Sequence, residues 1–251
     1  MTQPIIGYAG MTHLGLCSAV ATASKGFDTL GFDPDAAIVA ALEAGKLPVV
    51  EPGLDNLLAS NRGRISFSAE VAELGRCDLI YVAPDVPTDD AGGSDLAGLD
   101  RLLELVLAHS RVDAVVAVLS QVPPGYTRMR QRSGRALYYQ VETLVFGRAV
   151  DRSTHPERFI VGALDPRKPL PAPLDIHLRS FGCPILPMSF ESAALAKISI
   201  NCCLVASVTL ANTLAELCER LGADWSEIAP ALRLDRRIGA YSYLTPGLGL
   251  A

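Results

Sequence analysis

From the N-terminus to about position 187, short apolar runs rich in Ile and Val alternate with stretches of helical periodicity. Strand-like runs fall at Pro4–Gly7, Thr29–Asp33, Ile65–Ser68, Leu79–Ala83, Ala114–Leu119, Ala136–Gln140, Phe159–Gly162 and Pro184–Leu186. Between them the pattern predicts helices at Gly10–Lys25, Pro34–Ala44, Gly53–Ser60, Ala69–Leu74, Leu96–His109 and Pro124–Arg132. Strands alternating with helices of these lengths form right-handed βαβ units. The expectation for residues 1–187 is therefore an α/β, Rossmann-like, doubly wound parallel sheet. The stretch Pro166–Pro173 reads as a surface loop.

From Ser189 the pattern changes. One helix-like segment runs to about Leu221 without Gly or Pro and is apolar on most of its faces. Gly222 is placed to terminate it, and Asp224 to cap a further short helix beginning near Trp225. About 30 helical residues span about 45 Å, and a helix apolar on so many sides needs partners around it. Residues 188–251 are thus expected to form a smaller, all-helical central domain built on one long helix, which pairs two subunits in a homodimer. Its apolar core, Ile198 to Leu214, is interrupted by Asn201, Ser207, Thr209, Asn212 and Thr213. That predicts a buried helix of a soluble protein and no membrane span.

Composition narrows the picture only a little. With 251 residues, 49% of them apolar, there is enough chain for one large domain or a large one with a smaller companion. A net charge of −5 gives no electrostatic footprint for nucleic acid or an anionic membrane. The N-terminus lacks the basic and small-residue signature of a secretory leader, so a cytoplasmic location is expected. Cys17, Cys77, Cys183, Cys202, Cys203 and Cys218 form no C-x-x-C pair and the four histidines are scattered, so buried reduced thiols are expected and no zinc site. Asp85, Asp89, Asp90 and Asp95 share a segment with two glycines, which reads as a solvated loop capping the helix at Leu96.

Candidate chemistry begins at the first strand, which runs into Gly7-Tyr8-Ala9-Gly10 before a helix. In a G-x-G-x-x-G frame, Ile5 takes the first position and Gly7 and Gly10 the second and third, followed by Met11. Missing Cβ atoms there let backbone N–H groups at a helix N-terminus face a pyrophosphate. Asp33 closes the second strand, 23 residues beyond Gly10, where a carboxylate accepts hydrogen bonds from ribose hydroxyls and repels a 2′-phosphate. The cofactor expected is NAD.

The stretches GYAGM and FDPDAAIVAALEAGKLPVVEPGLDNLL resemble the N-terminal domain of the UDP-glucose/GDP-mannose dehydrogenase family, above all in the Gly45–Leu54 loop. Further matches follow in order. They are Ser120–Gly125 for S-T-V-P-x-G, Glu142 with Gly147 for the family's N-P-E-F-L-x-E-G, and Ala193–Lys197 with Asn201 for A-E-L-x-K-x-x-x-N. Arg237-Ile238-Gly239 and Pro246-Gly247-Leu248-Gly249 resemble its R-I-G and P-G-x-G. A 6-phosphogluconate-type or 3-hydroxyacyl dehydrogenase shares the general plan but leaves the E-P-G-L loop and the R-I-G ending unexplained.

The resemblance implies oxidation of the C6 alcohol of a nucleotide sugar such as UDP-glucose by NAD. It assigns Lys197 and Asn201 to the developing oxyanion, Glu142 to water activation, and Arg237 and Gly247 to the substrate. Gly7, Tyr8, Ala9, Gly10, Met11, Asp33 and Gln121 would contact the cofactor. Gln121, Ala194 and Phe146 stand where the family has Thr, Glu and Glu. The family's cysteine would follow three positions after Ala251, which implies an incomplete thioester chemistry in this chain or a complementing chain. The alternative is a catalytically inactive homologue that acts as an NAD-binding or dimeric regulatory protein.

Overall fold

Eight strands and the helices between them make up most of the computed structural model, which describes residues 3–142 and 144–247. The strands are β1 (Ile6–Ala9), β2 (Thr29–Phe32), β3 (Ile65–Ser68), β4 (Leu79–Val82), β5 (Val115–Val118), β6 (Ala136–Gln140), β7 (Phe159–Ala163) and β8 (Ile185–Ser189). They form one sheet in the order β3-β2-β1-β4-β5-β6-β7-β8. The chain thus starts mid-sheet, builds outward to β3, and returns past β1 to continue the other way, which is the doubly wound plan. Every pairing is parallel except β6 with β7. That one antiparallel step departs from the wholly parallel sheet expected. Strands β1, β2, β4 and β5 are buried at every position, so they read as continuous apolar runs and not as alternating ones.

The helices are α1 (His13–Ser24), α2 (Ala36–Glu43), α3 (Leu54–Ser60), α4 (Ala97–His109), α5 (Tyr126–Met129), α6 (Ala149–Thr154) and α7 (Ala172–Arg179), with a 3-10 turn at Val71–Arg76. Residues His13 to Ala23 of α1 are all buried, and the helix packs against α3 and α6. Leu16 and Val20 are completely enclosed there, worth about 2 kcal/mol each on transfer from water. The loop expected at Pro166–Pro173 gives way to α7 at Ala172. Pro171 sits before the helix and Pro173 within its first turn, where the missing N–H costs no hydrogen bond.

The chain divides into two compact units, Met1–Leu195 and Ala196–Ala251. The long helix, α8 (Phe190–Leu221), therefore lends its first turn to the first unit. The second unit holds the rest of α8 and α9 (Trp225–Leu234). Gly222 ends α8 with φ +71°, and Asp224 accepts a hydrogen bond from Ser226 N, as capping residues should. One expectation fails here. Leu195, Val205, Leu210, Leu217 and Leu221 are exposed, and so are Cys202 and Cys203, so the stretch from Ile198 to Leu214 is not a buried helix in this chain. By length and composition alone α8 is long and apolar enough to cross a membrane. Cys17, Cys77 and Cys218 are buried as expected.

Candidate functional site

Strand β1 ends at Ala9, in register with Phe32 at the end of β2, so the chain leaves the sheet at Gly10 and Asp33 side by side. Gly10 has φ +96°, a conformation open to glycine, and a Cβ on it would lie 2.8 Å from Pro84 N. Helix α1 starts three residues later. A Cβ at Gly15 would lie only 1.9 Å from the Gly10 carbonyl oxygen, so the first turn of α1 packs on the strand end with no room for a side chain. These are the demands made on the first and third glycines of a dinucleotide turn. The G-x-G-x-x-G frame is therefore Gly10-Met11-Thr12-His13-Leu14-Gly15.

This corrects the frame read from the sequence. Gly7, Tyr8 and Ala9 lie inside β1, fully buried, and do not belong to the turn. Gly7 is small because a Cβ there would come within 2.8 Å of Cys77 Sγ. Tyr8 stacks on Tyr81, with ring centroids 4.9 Å apart, and its hydroxyl meets Thr22 Oγ1 at 2.7 Å. Ile5 precedes the strand, so it is not a replaced glycine. The replaced one is the second, where Thr12 stands.

Three carboxylates hold the turn. Asp33 is buried; its Oδ2 accepts the N–H of Met11 at 2.8 Å and its Oδ1 that of Asp35 at 3.0 Å. Each oxygen keeps acceptor capacity for a ribose hydroxyl. Asp85 Oδ2 accepts the N–H of His13, the first residue of α1, at 3.2 Å, and its own N–H donates to Thr12 Oγ1 at 3.0 Å. The Glu51 side chain is fully enclosed and meets His13 Nε2 at 2.8 Å, while accepting the N–H groups of Gly147 at 3.0 Å and Ala149 at 3.3 Å. Burial raises the Glu51 carboxyl, but these hydrogen bonds outweigh it and hold the group below its ordinary value. Glu51 thus ties the Gly45–Leu54 loop, the start of α1 and the 147–149 segment together. Phe146 stacks on the His13 ring at 4.4 Å. His13 and Glu51 were not among the residues read as functional; the sequence signal was the loop itself, which carried a family likeness but no chemistry.

Behind α1 runs a buried polar relay. Tyr81 donates to Gln140 Oε1 at 3.0 Å, so it accepts from His177 Nδ1 at 3.0 Å; His177 Nε2 then accepts from Thr22 Oγ1 at 2.9 Å, which accepts from Tyr8. Burial pushes His177 down to about 3, so the ring is neutral in the folded protein. Glu142, half-buried just beyond β6, lines a crevice of about 30 Å³ with Thr22, Gln140, Arg152, Arg158 and His177.

The remaining expected residues lie on several other segments of the chain. Gln121 is exposed in the segment after β5. Lys197 and Asn201 are half-buried on α8 in the second unit, four residues apart and so on one helical face. Arg237 is exposed and held by Asp235, with Nη2 to Oδ2 at 2.6 Å. Gly247 is fixed by Asn212, whose side chain accepts its N–H and donates to its carbonyl, both at 2.8 Å.

A doubly wound sheet with a Gly10–Gly15 turn and a carboxylate at the end of β2 defines a dinucleotide-binding domain of the dehydrogenase type. Comparison with known proteins makes this specific. Residues 5–170 match the model of the UDP-glucose/GDP-mannose dehydrogenase family, NAD binding domain, and residues 191–251 that of the family's central domain. The chain belongs to this family. It is 28% identical to the UDP-glucose 6-dehydrogenase TuaD of Bacillus subtilis, over 97% of this chain and 55% of that protein. It is 30% identical to the UDP-glucose 6-dehydrogenase AglM of Haloferax volcanii, over 96% of this chain and 60% of that one. A UDP-glucose dehydrogenase structure from Pyrobaculum islandicum superposes with a TM-score of 0.85 at 28% identity, over 99% of this chain and 60% of that one. The chain thus spans little more than half the length of these relatives.

The cofactor of the family's first domain is NAD, and the turn fits one. Close packing at Gly10 and Gly15 sets the start of α1 directly on the end of β1, and Asp33 is fixed beside that turn.

Proposed function

We propose that this chain supplies the cofactor-binding and central parts of an NAD-dependent dehydrogenase that oxidises the C6 alcohol of a nucleotide sugar. The observation that carries the reading is the Gly10–Gly15 turn set beside Asp33 in a chain that matches both family segments. The turn from Gly10 to Gly15 would carry the pyrophosphate on the backbone N–H groups at the start of α1, with Met11 tied to Asp33 beside it. Asp33 would take the adenosine ribose hydroxyls and repel a 2′-phosphate. Bound NAD supplies the hydride acceptor.

On the second unit, the Lys197 ammonium and the Asn201 amide share a helix face, and the role read for them is donation to the oxyanion that develops at the sugar C6. Glu142 is read as the group that orients or deprotonates water, its crevice being large enough for about one water molecule. Arg237 and Gly247 are read as substrate contacts, and Gln121 as a contact to the cofactor. The exposed apolar residues of α8 support a homodimer through that helix, and the match of residues 191–251 to the family's central domain supports reading it as part of a protein domain.

Calorimetric titration with NAD and NADP tests the cofactor reading. NAD is expected to bind at least about tenfold more tightly than NADP, and Asp33→Ala to narrow the gap. A folded protein that takes up neither dinucleotide contradicts it.

A further inference from the structure

Resting on the NAD reading above, we infer that Asp85 is a built-in competitor for the dinucleotide pyrophosphate, holding the N-terminus of α1 until the cofactor displaces it. Helix α1 begins without help from its own residues: Thr12 makes no side-chain cap and the first turn contains no acid. The positive end of a 12-residue helix is therefore served from another segment, by Asp85 Oδ2 on the N–H of His13. In a dinucleotide fold those N–H groups face the pyrophosphate. The carboxylate sits where the ligand's own negative charge belongs.

The position of Asp85 is set by packing. The preceding Pro84 lies against Gly10, and its carbonyl accepts from Ser120 Oγ. The Asp85 N–H is fixed on Thr12 Oγ1, which also donates to the Ala83 carbonyl at 3.3 Å. Thr12 thus has a reason to stand at the middle-glycine position: its hydroxyl anchors the segment that carries the competing acid. The Asp85 side chain itself is exposed, so a ligand can turn it outward at the cost of one hydrogen bond, but the charge stays near the turn. Two consequences follow. Without nucleotide the turn is preformed and capped, and with nucleotide the affinity is lowered by like-charge repulsion.

The test titrates NAD and adenosine into the full chain and its Asp85→Asn and Asp85→Ala variants at physiological salt, alongside thermal unfolding with and without NAD. Removing the charge is expected to tighten NAD binding about tenfold, screened partly by salt, and to leave adenosine within about twofold. Asp85→Ala is expected to lower the unfolding temperature without NAD and to show a larger NAD-induced rise than the wild type. An Asp85→Ala protein that is less stable but binds NAD no more tightly would make Asp85 a cap only and overturn the proposal. Folded variants that bind neither NAD nor adenosine would overturn it too, and the NAD reading with it. Asp85→Asn keeps an acceptor for the His13 N–H, so it remains informative if the alanine variant folds poorly.

Discussion

The turn at the start of α1 and the outer length of α8 are opposite kinds of site. Around the turn, the groups named above have partners within the first unit. Met11 N–H meets Asp33, His13 meets Asp85 and Glu51, and Gly147 and Ala149 meet Glu51. Along α8, large apolar side chains such as Leu210 and Leu217 face solvent, and beyond α9 Arg237 pairs with Asp235, two residues away. The first arrangement is set by packing on the sheet. In the second, what meets the exposed side chains decides whether a working surface forms. The difference teaches which kind of substitution each region should notice: loss of one buried partner in the first, a change of association in the second.

Glu51→Ala should sharpen the contrast most. It strips the buried partner from His13 and leaves two backbone N–H groups unsatisfied, a cost of about 3 kcal/mol in denaturant unfolding. Because hydrogen bonds hold the Glu51 carboxyl below its ordinary value of 4.5, its contribution is complete above about that pH and fades as the pH falls further. Glu51→Gln should lose that acid dependence.

His177 gives a separate window. Its ordinary value of 6.5 falls to about 3 in the fold, so the unfolded chain takes up a proton that the folded chain refuses. Stability should be full above pH 6.5 and decline below it by up to about 1.4 kcal/mol per pH unit, continuing toward pH 3. His177→Gln should flatten the curve between pH 6.5 and 4.5, above the Glu51 range; an unchanged slope would show that the ring is not buried neutral.

In the second unit the effects on folding should be smaller. Asn212→Ala should cost about 1 kcal/mol and speed amide exchange at Gly247, since one side chain makes both of those bonds. Leu210→Glu with Leu217→Glu should alter folding stability of the isolated chain by no more than about 0.5 kcal/mol. Light scattering should nevertheless show the pair shifting a dimer to monomers. A wild-type chain already monomeric at micromolar concentration would contradict pairing through α8.

Much of the fold was legible because the central strands β1, β2, β4 and β5 are buried at every position and stand out as apolar runs; all eight strands lie within a few residues of where the sequence put them. The exceptions have physical causes. Helix α7 hid behind Pro171 and Pro173, residues that suit a first turn as well as a loop. The six residues of α6 are too few to show a helical period. The exposure of α8 was not legible, since an apolar sequence states a need for burial and not where the cover comes from. The frame of the glycine turn was misplaced because glycine is used for two reasons within a few residues. Gly7 makes way for Cys77, whereas Gly10 and Gly15 make way for backbone. Only the strand register separates the two.

Two single substitutions decide the frame of the glycine turn. NAD affinity measured by calorimetry for Thr12→Gly and for Ile5→Gly compares the two possible glycine positions directly. The structure predicts tighter binding for Thr12→Gly, which restores the middle glycine and frees the Asp85 segment, and no gain for Ile5→Gly. Tighter binding by Ile5→Gly, with none for Thr12→Gly, would contradict it and return the site to Gly7–Gly10.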